Sequence, residues 1–199
     1  MTKTFILGLT GSIGMGKTTT AEMFRDLSIA VWDADAAVHE LYTSDRSTIE
    51  KIYDIIPECV TSAGVDRNLL KNELLSNKAL FTKIESIVHP AIKEHRLAFI
   101  EACNKSNQKL AIVDIPLLYE TKADQWLDAV LVVSIDKETQ RKRVMSRNDM
   151  NEKTFDLILS KQLPDKIKRD RADYIIETNS IVYVQEQVQS LVKKILGNL

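Results

Sequence analysis

Cysteine is scarce: Cys59 and Cys103 are the only two in 199 residues, and neither sits in a C-x-x-C or His-paired spacing. That excludes a disulfide framework and a thiolate zinc site. Glycine and proline number only six and four, so collagenous or linker-like composition is excluded as well. No apolar run approaches the roughly 18 residues of a membrane span. Residues 1–7 lack the apolar length and small-residue cleavage site of a signal peptide, so a cytoplasmic location is expected. Net charge is nearly absent too, with 27 Lys+Arg against 28 Asp+Glu. A chain so balanced is not built to coat nucleic acid or an anionic membrane, and neither partner is expected.

What remains is enough apolar material, 44% of residues, for one compact domain. Short apolar runs at 5–9, 29–32, 110–113, 129–135 and 174–176 read as five buried strands. Helical spacing fills 18–27, 79–103, 137–147 and 182–196, where Val184, Val188, Leu191, Val192 and Ile195 share a face. Strands alternating with helices predict an α/β fold with a mostly parallel sheet covered on both faces. The span from 36 to 109 reads as helix only and is too long for one crossover, so an inserted helical subdomain is expected between core segments 1–35 and 110–199. Pro57 and Gly64 punctuate the insertion, Asp66-Arg67 opens a new helix, and a break is expected near Val88, before Pro90.

Gly11 to Thr18, GSIGMGKT, fits G-x-x-x-x-G-K-[ST], directly after a predicted strand and before a predicted helix. Glycines let the backbone wrap phosphates with successive N–H groups turned inward. Gly11, Ser12, Ile13, Gly14, Met15, Gly16, Lys17, Thr18 and Thr19 are therefore expected to bind a nucleoside triphosphate, with Lys17 at the β/γ-phosphates and the Thr18 hydroxyl on Mg²⁺. Asn104-Lys105-Ser106-Asn107 lacks the acid of a guanine-reading N-K-x-D, and no glycine has an Asp three residues before it, which argues against a GTP switch.

Between residues 137 and 171, eleven Lys/Arg face six acids. Such a run can be a solvated helix face. Arg143 and Arg147, four apart, also suit an arginine lid gripping a nucleotide, at about residues 140–165. The second strand ends in Trp32-Asp33-Ala34-Asp35, placing carboxylates where open α/β sheets bind ligands. Asp35 suits a base beside an acceptor hydroxyl, or a cap on a helix starting at Ala36. Asp114, closing the third strand, suits a water-mediated Mg²⁺ ligand. Taken singly, His89 reads as structural, and His39 and His95 carry no signal.

Together these segments resemble the dephospho-coenzyme A kinase family: the phosphate loop, Asp33-Ala34-Asp35 with His39 behind it, Asp66-Arg67, the His89-Pro90 stretch, Asp114 to Glu120, Gln140 with Arg143 and Arg147, Gln162-Leu163-Pro164, Lys168 and Ala172-Asp173. The resemblance runs nearly end to end. It implies a P-loop kinase fold with a helical substrate subdomain and an arginine-bearing lid. It also implies ATP-dependent phosphorylation of the ribose 3′-hydroxyl of dephospho-CoA; whether the chain is a monomer or a small homo-oligomer is left open. Carried over by position, Asp35 is the base or orients the acceptor hydroxyl, and Lys17 and Arg143 stabilise the transferring phosphoryl. Arg147 helps close the lid. Asp33, His39, Asp66, Arg67, His89, Pro116, Leu117 and Glu120 shape the acceptor side. The family's usual Asn near the end falls on Thr178 here, with Asn179 next. From the residues alone, a kinase for another small acceptor and an ATP-dependent binding module stay open.

Overall fold

The computed structural model describes residues 3–148 and 150–198; residue 149, inside the stretch assigned to the lid, lies outside them. Two compact units emerge, 1–32 with 103–199, and 33–102. Among the described residues, no helix is long and apolar enough to cross a membrane.

In the first unit, strands β1 (Phe5–Thr10), β2 (Ala30–Asp33), β5 (Leu110–Asp114), β6 (Ala129–Ser134) and β7 (Tyr174–Glu177) form one sheet in the order β2-β5-β1-β6-β7. β1 runs parallel to both β5 and β6, and β6 runs parallel to β7. All five strands expected from the apolar runs are present. β6 is buried throughout because it serves two cores. Leu131 and Val133 join Leu7, Leu9 and the inner faces of α1 (Lys17–Asp26) and α9 (Ile181–Gly197). Val130 and Val132 point to the other face, against Leu118, Tyr119, Leu163 and Ala172. Period-two alternation thus packs both sides of one strand. The chain after β6 forms α6 (Lys137–Met145), α7 (Glu152–Ser160) and α8 (Asp165–Arg171). α6 stops at Met145, so Arg147 lies beyond the helix and not one turn along its face from Arg143.

The second unit holds α2 (Ala34–Thr43), α3 (Arg46–Tyr53), α4 (Arg67–Ser76) and most of α5 (Lys78–Lys105) around Tyr42, Ile52, Ile56, Cys59, Val65, Leu70, Ile84 and Val88. Its boundary falls at 102, inside α5, whereas the insertion read from the sequence runs to 109.

Two expectations fail here. The insertion is not purely helical: β3 (Val60–Thr61) and β4 (Gly64–Val65) pair as an antiparallel hairpin. With two residues per strand, there is no alternation for a pattern to detect. Nor does the chain break before Pro90, which sits inside the continuous α5. Ile84 and Val88 are buried six and two residues before it, and such packing works against the roughly 3 kcal/mol that proline costs a helix interior.

Candidate active site

β1 ends at Thr10, and the chain turns through the glycine loop into α1. Gly14 and Gly16 hold φ of 78° and 88°, in the left-handed region that side chains with a Cβ rarely adopt. Gly16 caps α1 and offers no side-chain hydrogen bond. The first-turn N–H groups of α1 are thereby left for an anion, helped by the positive end of the helix dipole.

Lys17 Nζ lies 2.5 Å from Asp114 Oδ1, and Asp114 is only 1% exposed. Parallel register explains the meeting, since Asp114 pairs with Leu9, one residue from the end of β1. A carboxylate taken out of water at the sheet's end needs a cation close by, and Lys17 supplies it. Thr18 and Thr19 are exposed on the first turn of α1.

Arg143 is half-buried and anchored at its guanidinium. Its Nη1 donates to Thr178 Oγ1 at 2.9 Å and its Nη2 to the Thr178 carbonyl at 2.6 Å. The Thr178 hydroxyl donates in turn to the Met15 carbonyl at 3.0 Å. The guanidinium is therefore tied through one residue to the phosphate loop. Arg147 is exposed and outside α6. Beside the loop opens a cavity of about 860 Å³, lined by Ser12, Met15, Ser134, Gln140, Phe155 and Asp165 among others.

Beyond β5, Pro116 accepts a hydrogen bond from Thr10 Oγ1 through its carbonyl, and Leu117 is part-exposed. Glu120, assigned to the acceptor side from the sequence, is turned inward instead. Its Oε1 accepts from Leu163 N–H at 2.7 Å and lies 2.9 Å from Nζ of the fully buried Lys168. Burial pushes the Glu120 carboxyl up, but the Leu163 N–H and Lys168 outweigh it and hold the group below its ordinary value.

The second unit carries the remaining candidates. β2 ends at Asp33, and α2 begins at Ala34, not Ala36. Asp33 is the cap, accepting from Ala36 N–H at 2.9 Å, so the capping role considered for Asp35 belongs to Asp33. Asp35 lies exposed in the first turn of α2, where strand alternation no longer applies. His39 is exposed on the same helix. Asp66 caps α4, accepting from Asn68 and Leu69 N–H, and the exposed Arg67 follows it. His89 is exposed on α5, 3.8 Å from Glu85. The structure thus gathers the expected nucleotide residues in one unit and Asp33, Asp35, His39, Asp66, Arg67 and His89 in the other.

Among the described residues, no group of three or more His, Cys, Asp or Glu could hold a metal ion. The donors available near the loop are hard oxygens, the Thr18 hydroxyl and the Asp114 carboxylate, which is the chemistry Mg²⁺ prefers.

Functional residues that sequence reasoning did not place in the site are Gln140, Gln162, Lys168 and Thr178. All but Gln162 are buried to within 4% of full enclosure, and all four bond the loop or its supports. Residue type carried no signal for their burial; only the resemblance marked them, Thr178 as the position of the family's usual Asn.

Comparison with known proteins decides among the acceptors that the residues left open. The family model for dephospho-CoA kinase matches residues 5–183. A dephospho-CoA kinase of Jannaschia sp. (strain CCS1) is 44% identical over 191 residues, covering 96% of this chain and 97% of its own length. That of Ruegeria pomeroyi is 43% identical over 197 residues and covers 98% of both. The solved dephospho-CoA kinase of Campylobacter jejuni superposes with a TM-score of 0.74 at 27% identity, over 98% of each chain. The match spans the phosphate loop, the second unit and the stretch expected as a lid alike, and the chain belongs to the dephospho-CoA kinase family.

Proposed function

We propose a division of labour for the reaction of this family, transfer of the ATP γ-phosphoryl group to the 3′-hydroxyl of dephospho-CoA. The chain catalyses this last step of coenzyme A synthesis; the residue roles are our reading. Phosphoryl transfer asks a protein mainly for positioning and charge stabilisation. The loop N–H groups and Lys17 hold the β- and γ-phosphates, and Arg143, anchored by Thr178, faces the charge that builds on the transferring group. Asp35 accepts the proton of the 3′-hydroxyl while that oxygen forms its bond to the γ-phosphorus. The bond to the bridging oxygen breaks, and ADP leaves with the electron pair. His39, Arg67 and His89 serve the acceptor side.

Thr18 and Asp114 are the residues that would hold Mg²⁺, which when bound neutralises charge across the phosphates. Lys17 exchanges Asp114 for the phosphates when ATP binds.

One observation carries this reading: Lys17 and Asp114 meet at the mouth of an α1 N-terminus that no side chain caps. The test incubates purified protein with ATP, Mg²⁺ and dephospho-CoA and follows the acceptor by mass spectrometry, with adenosine and shikimate as controls. Addition of one phosphoryl group to dephospho-CoA alone is expected. The site reading falls if Lys17→Met forms that product at the unmodified rate.

A further inference from the structure

The stretch from Gln140 to Lys168 holds two glutamines and a buried lysine that the proposed chemistry leaves without a role. The two glutamines meet the phosphate loop at one residue, Ile13. Its N–H donates to Gln162 Oε1 at 3.2 Å, and its carbonyl accepts from Gln140 Nε2 at 2.7 Å. Two successive peptide planes of the loop are thereby fixed by side chains from the lid segment. In the first, the Ser12 carbonyl lies opposite the held N–H and accepts from Met15 N–H at 3.1 Å, closing a tight turn. In the second, a planar trans peptide sets the Gly14 N–H antiparallel to the Ile13 carbonyl. Gln140 draws that carbonyl toward α6, and so aims the Gly14 N–H the opposite way. Gly14, at φ 78°, has little steric resistance of its own to a flipped peptide, so an external bond has to choose the orientation.

Gln162 is held in its turn. The next residue, Leu163, donates its N–H to Glu120, whose carboxylate pairs with Lys168 at 2.9 Å. Lys168 is wholly buried and the Glu120 side chain is 16% exposed, so this is an ion pair in a low-dielectric setting. Removing one partner alone leaves a charge stranded and shifts the segment that carries Gln162.

We propose that Gln140 and Gln162 are positioning residues that orient the phosphate loop through Ile13, with the Glu120–Lys168 pair setting Gln162, so that the lid segment governs ATP affinity. The inference rests on the reading that the loop binds ATP phosphates. It assigns opposite polarity to two chemically identical side chains: Gln140 must donate and Gln162 must accept. Glutamate can accept but, when ionised, cannot donate.

The test is a pair of substitutions that add the same charge on either side of the loop. Gln140→Glu breaks its bond and is expected to raise the ATP KM and the ADP dissociation constant by about tenfold or more, the cost of an unsatisfied buried acceptor. Gln162→Glu keeps its bond and is expected to show a clearly smaller rise. The dephospho-CoA KM stays within about twofold for both, at this same level of perturbation. Equal penalties at the two positions, or a larger one at 162, overturn the proposal. Gln140→Met, which lacks the donor without adding charge, replaces the first variant if that chain does not fold, and must raise the ADP dissociation constant alone.

Lys168→Met is expected to weaken ADP binding by about fivefold, and Glu120→Gln/Lys168→Met to restore it. The amide at position 120 still accepts from Leu163 N–H, and no buried charge remains. A folded double variant as weak as the single one refutes the part played by the ion pair. Lys17→Met is the control: if it binds ADP normally, the loop reading itself fails. If it does not, and the Gln140 variants do, only this inference fails.

Discussion

Arg143 gives both terminal nitrogens of its guanidinium to one residue, Thr178, whose hydroxyl also reaches the Met15 carbonyl. The sequence placed Arg143 in a lid, which would bring it in only on closure. Here it is already fastened to the core through Thr178, in the loop after β7. Thr178→Val keeps the shape and removes the hydroxyl, leaving Arg143 Nη1 and the Met15 carbonyl each short of a partner. A loss of about 1–3 kcal/mol is expected, seen as a fall in kcat/KM for ATP between about fivefold and a hundredfold. Thr178→Ser should recover most of it. Unchanged kinetics in the valine variant would separate Arg143 from Thr178.

The Lys17–Asp114 pair predicts that stability and activity part company. Lys17→Met removes the cation beside a carboxylate that is 1% exposed, so the chain is expected to lose thermal stability as well as turnover. For turnover, one preorganised donor is worth roughly 3–4 kcal/mol, or about 10²–10³ in kcat. Lys17→Met/Asp114→Asn removes the stranded charge and should regain the melting temperature while staying inactive. A double variant that regains activity would show that another cation serves the phosphates.

Asp35→Asn preserves size and exposure at the first turn of α2 but cannot take a proton. If Asp35 is the base, kcat falls by about 10²–10⁴ while the ATP KM holds. Steady-state kinetics at saturating dephospho-CoA read this directly, and a kcat near that of the unmodified chain removes Asp35 from the mechanism.

The sheet and the loop were legible in the sequence because both are written in short-range patterns. β1 is an apolar run followed at once by glycines, and Lys17 and Thr18 follow those at fixed spacing. What could not be read depends on contacts between distant segments. Whether Glu120 faces a substrate or a buried lysine is decided by the α8 helix 48 residues later, where Lys168 looks like any solvated lysine in a basic stretch. Asp33 and Asp35 illustrate a finer limit. Either could cap α2, and a shift of two residues in the helix start decides which carboxylate stays free.

The same Glu120 sets an acid limit on the fold. Its carboxyl is held below the ordinary value of 4.5 in the folded chain, so its protons bind more tightly to the unfolded one. Its contribution to stability is complete above about pH 4.5 and is lost as pH falls further, through the depressed folded value. Glu120→Gln carries no such titration. Across pH 5 to 3, the melting temperature of the unmodified chain should fall more steeply than that of the variant, and parallel curves would mean that other carboxylates govern acid unfolding.

Pro90 stands in the interior of α5, exposed, one residue after His89. A proline there removes a helix N–H and crowds the carbonyl four residues back, at a cost near 3 kcal/mol against alanine. It also restricts the unfolded chain, which returns about 0.4–1 kcal/mol. Pro90→Ala is therefore expected to stabilise the protein by about 2 kcal/mol, a rise of roughly 4–8 °C in melting temperature for a chain of this size. Its neighbour His89 is proposed above for the acceptor side, and the kink-prone position beside it can set that side chain. The variant should then bind dephospho-CoA more weakly, with its KM raised and that of ATP unmoved, because only the helix carrying His89 has changed. A more stable protein with both KM values intact would make Pro90 a tolerated defect of the helix with no part in placing His89.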